Sequence, residues 1–443
     1  MKNKIILLLL TVLFITSTVT LYETDKKYSH LKDQIKKKNA IMQNQASFIN
    51  KKNLDHEIKI KKNKSNIDFK IVKDSSPKEI KLFNKNAKLI FFRNANQLSR
   101  GINNFFPGSA YLDIDKENIF LASTTGIIGY SKKIYNQEII FKQINNNIEN
   151  FLTIESLKKG NWFSVKDILV FNNKIYISYT NEKNKNCWNT SIIHANLNFD
   201  NLIFSTFFEP KNCVKAKGNI DNEFNAHQSG GKMFAYDDDS IIFSTGDFRL
   251  RSHAQDVESA LGKIININIK NKKYNIISLG HRNPQGLLYS KEQDLILTTE
   301  HGPYGGDEIN LNLNPLSEIK NFGWAISSYG EHYGGKDNLE NKDKYLKYPL
   351  HKSHSNFGFI EPIKYFVPSI GISEIIQIDK EKFIASSLKD SSIYPFNLKN
   401  NKIKNFSKIP INERIRDMVY DKKNKEIFLF LEDFASLAII KFE

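Results

Sequence analysis

Residues 286–298 read GLLYSKEQDLILT. Two short apolar runs, Gly286–Tyr289 and Leu295–Thr298, flank a charged turn, which is the pattern of a tight hairpin. If the runs pair antiparallel, the chain returns to the end from which it started. Residues just before Gly286 therefore share one end of the hairpin with residues just after Thr298. Before it stand His281, Arg282, Asn283 and Gln285; after it come Glu300, His301, Gly302 and Pro303, then the acidic pair Asp307-Glu308.

The unit recurs. It appears as AYLDIDKENIFLA from Ala110, KDILVFNNKIYIS from Lys166, GKMFAYDDDSIIFS from Gly231, SEIIQIDKEKFIAS from Ser373 and DMVYDKKNKEIFLF from Asp417. Second strands start at 119, 175, 241, 295, 383 and 427, so the spacing runs from 44 to 88 residues. Repeats of this length, made irregular by loop insertions, point to propeller blades. The predicted fold is all-β, a six-bladed β-propeller of four-stranded antiparallel blades over residues 89–443. A β-sandwich does not predict one unit carried to the C-terminus. The widest spacing places an insertion between the fourth and fifth hairpins, with Tyr329, His332, Tyr333, His351 and His354 in it. Long loops of this kind often cover a site.

The net charge of +16 suggests nucleic acid until its distribution is read. Residues 1–90 hold 20 lysines against 8 acidic residues, which leaves only +4 for the rest of the chain. The folded part is thus nearly neutral, and no nucleic-acid partner is expected. Lys2 and Lys4 precede an apolar run from Ile5 to about Tyr22, close to the ~20 residues that span a bilayer. Residues 1–24 read as a signal peptide or an uncleaved signal anchor, with membrane contact there, and residues 25–88 as a basic stalk or linker, helical or disordered. Cys187 and Cys213 are the only cysteines. They flank the segments Ser191–Leu197 and Leu202–Phe207, whose pairing brings them within disulfide reach, and an exported domain permits the bond.

Polar residues gather at one end of the hairpins. His227 stands four residues before Gly231, Arg282 four before Gly286, and Arg414 and Arg416 lead into the last hairpin. Asp247, Gly302-Pro303 and Lys389 follow second strands. Singly, each has a bland reading: a lone histidine can be a bonded loop residue, an arginine pair a solvated edge, and a turn aspartate can bond its own backbone. Their common placement in one funnel argues for a site. Its cations, Arg282, Lys389, Arg414 and Arg416, call for a ligand with several carboxylates. The Gly302-Pro303 carbonyls suit a hard cation such as Ca²⁺.

GHRNPQGL at Gly280, EHGPYGGDEIN at Glu300 and NFGW at Asn321, with HQSGG, TGD, AQDVESALGKI, SLKDSSIY and RIRD in order, resemble a known family. It is that of the pyrroloquinoline quinone-dependent sugar dehydrogenases (glucose/sorbosone dehydrogenases), and the resemblance covers about residues 105–443. It implies a six-bladed propeller that oxidises a sugar or other alcohol and passes electrons to an acceptor the sequence does not name. By resemblance, His227 matches the general base, Asp247 the carboxylate that orients it, and Arg282 and Asn283 the groups at the reactive quinone carbonyl. Lys389, Arg414 and Arg416 match residues that hold the cofactor, joined by Gln285 of the same GHRNPQG motif. Gly302 and Pro303 match the carbonyls that bind Ca²⁺. Two positions depart: Ala226 precedes His227 where the soluble glucose enzymes carry an acid, and His301 replaces a Gln before Gly-Pro. The expected localisation is periplasmic or otherwise extracytoplasmic. The rival functions are a non-catalytic propeller that binds a ligand or protein through the same funnel, and a metal-dependent lactone hydrolase. The hydrolase would need several carboxylates where this funnel is cationic.

Overall fold

The computed structural model describes residues 69–93 and 109–443, apart from Ser75, Ile134 and Asn161. The apolar run from Ile5 and most of the stalk lie outside the described residues.

The chain is all-β. Each recurring hairpin forms where the sequence puts it: an inner strand, a turn of Asp, Asn or Lys, and a second strand. The inner strands are Ala110–Asp115, Val165–Phe171, Gly230–Asp237, Pro284–Ser290, Ile372–Asp379 and Ile415–Asp421. Their antiparallel partners are Asn118–Ser123, Lys174–Asn184, Ser240–Thr245, Leu295–Glu300, Lys382–Ser387 and Glu426–Leu431. Further strands extend each sheet outward. Each inner strand packs against the next and the last packs against the first, so the sheets stand around an axis in a β-propeller-like ring.

The second strands read as unbroken apolar runs because both of their faces are buried. Side chains alternate across a strand. Thus Ile119 and Leu121 pack toward the last sheet, whereas Phe120 and Ala122 pack toward the second. Likewise Ile427, Leu429 and Leu431 enter one intersheet layer and Phe428 and Phe430 the other. Each Ile, Leu or Phe among them contributes about 1.5–3 kcal/mol by leaving water.

The ring closes through the N-terminal part of the chain. Lys85–Arg93 pairs antiparallel with the C-terminal strand Ser436–Phe442, and Phe69–Lys73 bridges Lys85–Arg93 to Glu138–Asn146 of the first sheet. Strand structure therefore begins at Phe69, inside the 25–88 segment expected to be linker. Lysines at 70, 73, 78, 81, 85 and 88 give that segment its basic look, while Ile71, Leu82 and Ala87 between them, and Leu89 just beyond, are buried. The disulfide forms as expected, with the Cα atoms of Cys187 and Cys213 5.4 Å apart. Its immediate support is the pairing of Cys187 and Trp188 with Val214–Lys215.

One buried lysine ties the axis together. Lys232 Nζ lies 2.7 Å from Asp167 Oδ1, 2.9 Å from Asp417 Oδ1 and 2.5 Å from Glu374 Oε2. Asp167 also accepts from Met233 N–H (2.8 Å), and Asp417 from Leu112 N–H (2.7 Å). Five inner strands are thereby joined through one ammonium. Replacing Lys232 by Met strands three buried carboxylates; we expect a loss of about 3–5 kcal/mol, the usual cost of breaking a buried ion pair, measured by urea unfolding.

Three carboxylates around one ammonium leave an excess of negative charge. Burial, and then the Asp417 carboxylate, push Glu374 well above the ordinary carboxylate range. Burial likewise pushes Asp167 to about 7, against the pull of Lys232. Raised folded-state values mean that the fold binds these protons more tightly than the unfolded chain does. The stability that Asp167 contributes is full below about pH 4 and is lost as pH rises through about 7, and that of Glu374 is likewise lost as pH rises. In Glu374→Gln, the decline in melting temperature between pH 5 and 8 should be shallower than in the parent protein.

Candidate functional site

At the end of the ring where inner strands begin, the register of the hairpins decides what faces the axis. Five inner strands carry a register shift near their start: between Val165 and Asp167, Gly230 and Met233, Pro284 and Gly286, Ile372 and Ile375, and Ile415 and Asp417. A bulge of this kind re-aims a side chain that regular pleating would bury between sheets. Gln285 and Arg416 stand at two of these shifts, and Lys166 at a third.

A polar relay crosses from sheet to sheet here. Asn283 Oδ1 accepts from Gly230 N–H (3.2 Å) and from Gln285 Nε2 (3.0 Å). Gln285 Oε1 accepts from Arg416 Nη1 (3.2 Å), and Arg416 Nε donates to Glu432 Oε1 (2.7 Å). The other oxygen of Glu432 takes Arg414 Nε at 3.1 Å, and Ser109 Oγ donates to Oε1 at 2.8 Å. Burial acts to raise Glu432, but the two guanidiniums outweigh it and hold the carboxyl below its usual range. Arg414 and Arg416 therefore share one buried carboxylate.

The second group surrounds Asp247. Its Oδ2 accepts from Trp324 Nε1 (2.7 Å) and its Oδ1 from Arg249 N–H (2.9 Å). The amide of Gln228, oriented to satisfy its neighbours, donates to Asp247 Oδ1 (3.1 Å) and accepts from Arg249 Nε (3.0 Å) and Arg282 Nη2 (2.9 Å). Arg282 Nη1 donates to the His301 carbonyl (2.9 Å), and its guanidinium lies over the Trp324 ring. Asp247 is wholly buried, and burial raises its pKa in spite of Arg282.

Among the described residues His227 makes no hydrogen bond to Asp247. Its ring meets Trp162 edge-on, 5.4 Å between centroids, and Asn225 Oδ1 fixes its backbone N–H (2.7 Å). The Asp247 carboxylate accepts from Trp324, Arg249 and Gln228. Burial, then Lys166 and Arg416, lower His227 to about 3, so the imidazole is neutral at physiological pH.

Other expected residues fall less centrally. Lys389 follows Lys382–Ser387; its backbone N–H donates to Ile370 O (3.0 Å) and its side chain is exposed. Gly302 sits where a Cβ would strike the carbonyls of Gly305 and Gly306, so the turn admits no side chain. Neither the Gly302 nor the Pro303 carbonyl accepts a hydrogen bond among the described residues. Asp307 accepts from the N–H groups of Gly302 (3.1 Å), Gly371 (2.7 Å) and Ile372 (3.0 Å). Glu308 faces His354 at 3.4 Å, and His281 is a satisfied core histidine between Glu300 (3.0 Å) and Ser278 (2.8 Å). Among the described residues, no group of three or more His, Cys, Asp or Glu could hold a metal.

Sequence reasoning missed Gln228, Trp324, Glu432 and Lys166. Gln228 adjoins His227 and Trp324 closes the NFGW motif, so position alone marked both. Trp324→Phe deletes the indole N–H and leaves Asp247 Oδ2 short of a donor. We expect about 1.5–3 kcal/mol of destabilisation, typical of a bond to a charged group, read by urea unfolding.

Comparison with known proteins bears on this geometry. The sequence profile described as Glucose / Sorbosone dehydrogenase matches residues 165–439, more than half of the chain. An uncharacterised protein of Synechocystis sp. is 31% identical over 194 residues, 39% of this chain and 43% of that protein. The chain thus aligns with less than half of that relative's length. The aldose sugar dehydrogenase YliI of Escherichia coli is 24% identical over 267 residues, 55% of this chain and 67% of its own. Among solved structures, the PQQ-bound form of aldose sugar dehydrogenase from Streptomyces coelicolor superposes with a TM-score of 0.56 at 14% identity. It covers 84% of this chain and 100% of its own, a likeness of fold.

Proposed function

The chain belongs to the glucose/sorbosone dehydrogenase family, and from that premise we propose that it is a quinoprotein oxidising a sugar or other alcohol with pyrroloquinoline quinone and Ca²⁺. The reading takes the ring as six blades, one for each inner strand. The observation that carries it is the cationic wall: Arg414 and Arg416 meet at the carboxylate of Glu432, beside the neutral imidazole of His227.

That wall fits a ligand bearing several carboxylates, since guanidiniums bind carboxylate in paired hydrogen bonds. Arg414, Arg416 and Gln285 would hold the cofactor from within the ring, and Lys389 would meet it from the solvent side. Arg282 and Asn283 would stand at its reactive carbonyl. The carbonyl oxygens of Gly302 and Pro303 suit Ca²⁺, which readily takes backbone oxygens. When bound, the quinone supplies a two-electron acceptor for the hydride leaving the substrate's CH–OH carbon.

The chain's own groups supply the rest. His227, uncharged, takes the hydroxyl proton as the C–H bond breaks. The carboxylates that a ligand brings beside it would raise its basicity by countering Lys166 and Arg416. Arg282 offers a fixed cation where negative charge develops, held in place by Gln228 and the His301 carbonyl. The role given to Asp247 by resemblance shifts accordingly: through Gln228 it orients Arg282 in place of His227.

An N-terminal signal anchor would place the domain on the extracytoplasmic side of a membrane, where the Cys187–Cys213 bond is stable. The electron acceptor would be a separate molecule.

Adding pyrroloquinoline quinone and Ca²⁺ to the purified protein should give a bound-quinone spectrum and sugar-dependent dye reduction. His227→Gln should keep the spectrum and lower turnover at saturating cofactor by about 10²–10⁴-fold, the worth of a general base. Near-normal turnover in that variant would remove His227 from catalysis.

A further inference from the structure

Lys166 is a buried amine that none of the roles above uses. It stands at the register shift of the second inner strand, between Val165 and Asp167, as Gln285 and Arg416 stand at those of the fourth and last. Gln285 and Arg416 turn toward the same end of the ring and bond to each other there. The equivalent bulge aims Lys166 to that end.

Its surroundings agree. A Cβ on Gly231 would meet Lys166 Cβ at 2.4 Å and Cγ at 3.1 Å, so the lysine stem crosses Gly231 on the strand that His227 leads into. The ammonium donates to the carbonyl of Trp162 (2.8 Å), the residue whose ring abuts His227. Lys166 is only 5% exposed, and among the described residues no carboxylate forms an ion pair with it. Lys232, one layer deeper, has three. Burial and then Arg416 lower Lys166 to about 7. A buried cation without a counter-ion is costly, and one facing a ligand can take its counter-ion from it.

We propose that Lys166 is a further ligand-binding residue whose ammonium takes a carboxylate of the molecule bound beside His227. The assignment rests on the quinoprotein reading for where that molecule lies. The carboxylate has two sources, the quinone itself or an acidic sugar, and the chemistry that recognises them is the same.

Two titrations on the full chain separate them, using the parent protein, Lys166→Met and Lys166→Arg. The first is pyrroloquinoline quinone with Ca²⁺, followed by absorbance; the second is glucuronate against glucose, by calorimetry. Met removes the charge at similar volume, and equal melting curves establish that it folds. A loss of tenfold or more in quinone affinity in the Met variant, kept in the Arg variant, assigns the cofactor carboxylate. A tenfold loss of glucuronate affinity with glucose unchanged assigns a sugar acid as substrate. Unchanged affinity for both ligands in folded Met variant overturns the proposal. A parent protein with no quinone affinity sinks the quinoprotein reading and leaves the glucuronate titration to decide Lys166.

Discussion

The Lys232 ammonium is the contact on which the arrangement of the sheets depends. A ring of sheets has no central hydrophobic mass; its apolar layers lie between neighbours, and the axis must be filled some other way. Here it is filled by Asp167, Glu374 and Asp417 converging on Lys232, with backbone N–H groups of Met233 and Leu112 capping the remaining oxygens. Intersheet packing fixes each sheet against the next, whereas this cluster fixes sheets that are not neighbours. The spacing of groups on the functional end is set from beneath.

The charges form two layers along the axis. The deeper layer has three carboxylates and one ammonium. The layer above has Arg414 and Arg416 meeting at the carboxylate of Glu432, with Lys166 close enough to feel Arg416. Sequence neighbours supply both layers: Lys166 and Asp167, Arg416 and Asp417. The bulges make this possible, because a regular strand would send consecutive side chains to opposite faces of its sheet. Part of the cationic surplus above is balanced by the anionic surplus below, as the effect of Asp417 on Arg416 indicates.

Much of this was legible in the residues. The turns of Asp, Asn and Lys between apolar runs mark each hairpin, because both the turn chemistry and the two-sided burial of second strands are local. The positions of Arg282, Asn283, Gln285 and Arg416 followed from hairpin geometry alone. The pairing of Asp247 did not, since its partner Trp324 lies 77 residues along the chain and only the fold brings the indole to it. Lys166 was hidden by the abundance of lysine, which makes one buried amine look like another solvated one. The strands from Phe69 were hidden for the same reason, their apolar face being interleaved with lysine.

The closure of the ring has a consequence for how the protein is made. Lys85–Arg93 is synthesised early, yet one of its edges stays open until Ser436–Phe442 arrives to pair Phe92 with Leu437. Throughout elongation that edge offers unpaired backbone groups, a template for wrong partners. Lys78, Lys81, Lys85 and Lys88 crowd this part of the chain, and lysines on a waiting edge repel other strands. The basic character that resembles a linker in the sequence thus serves the nascent chain, guarding this one edge until the C-terminal strand emerges.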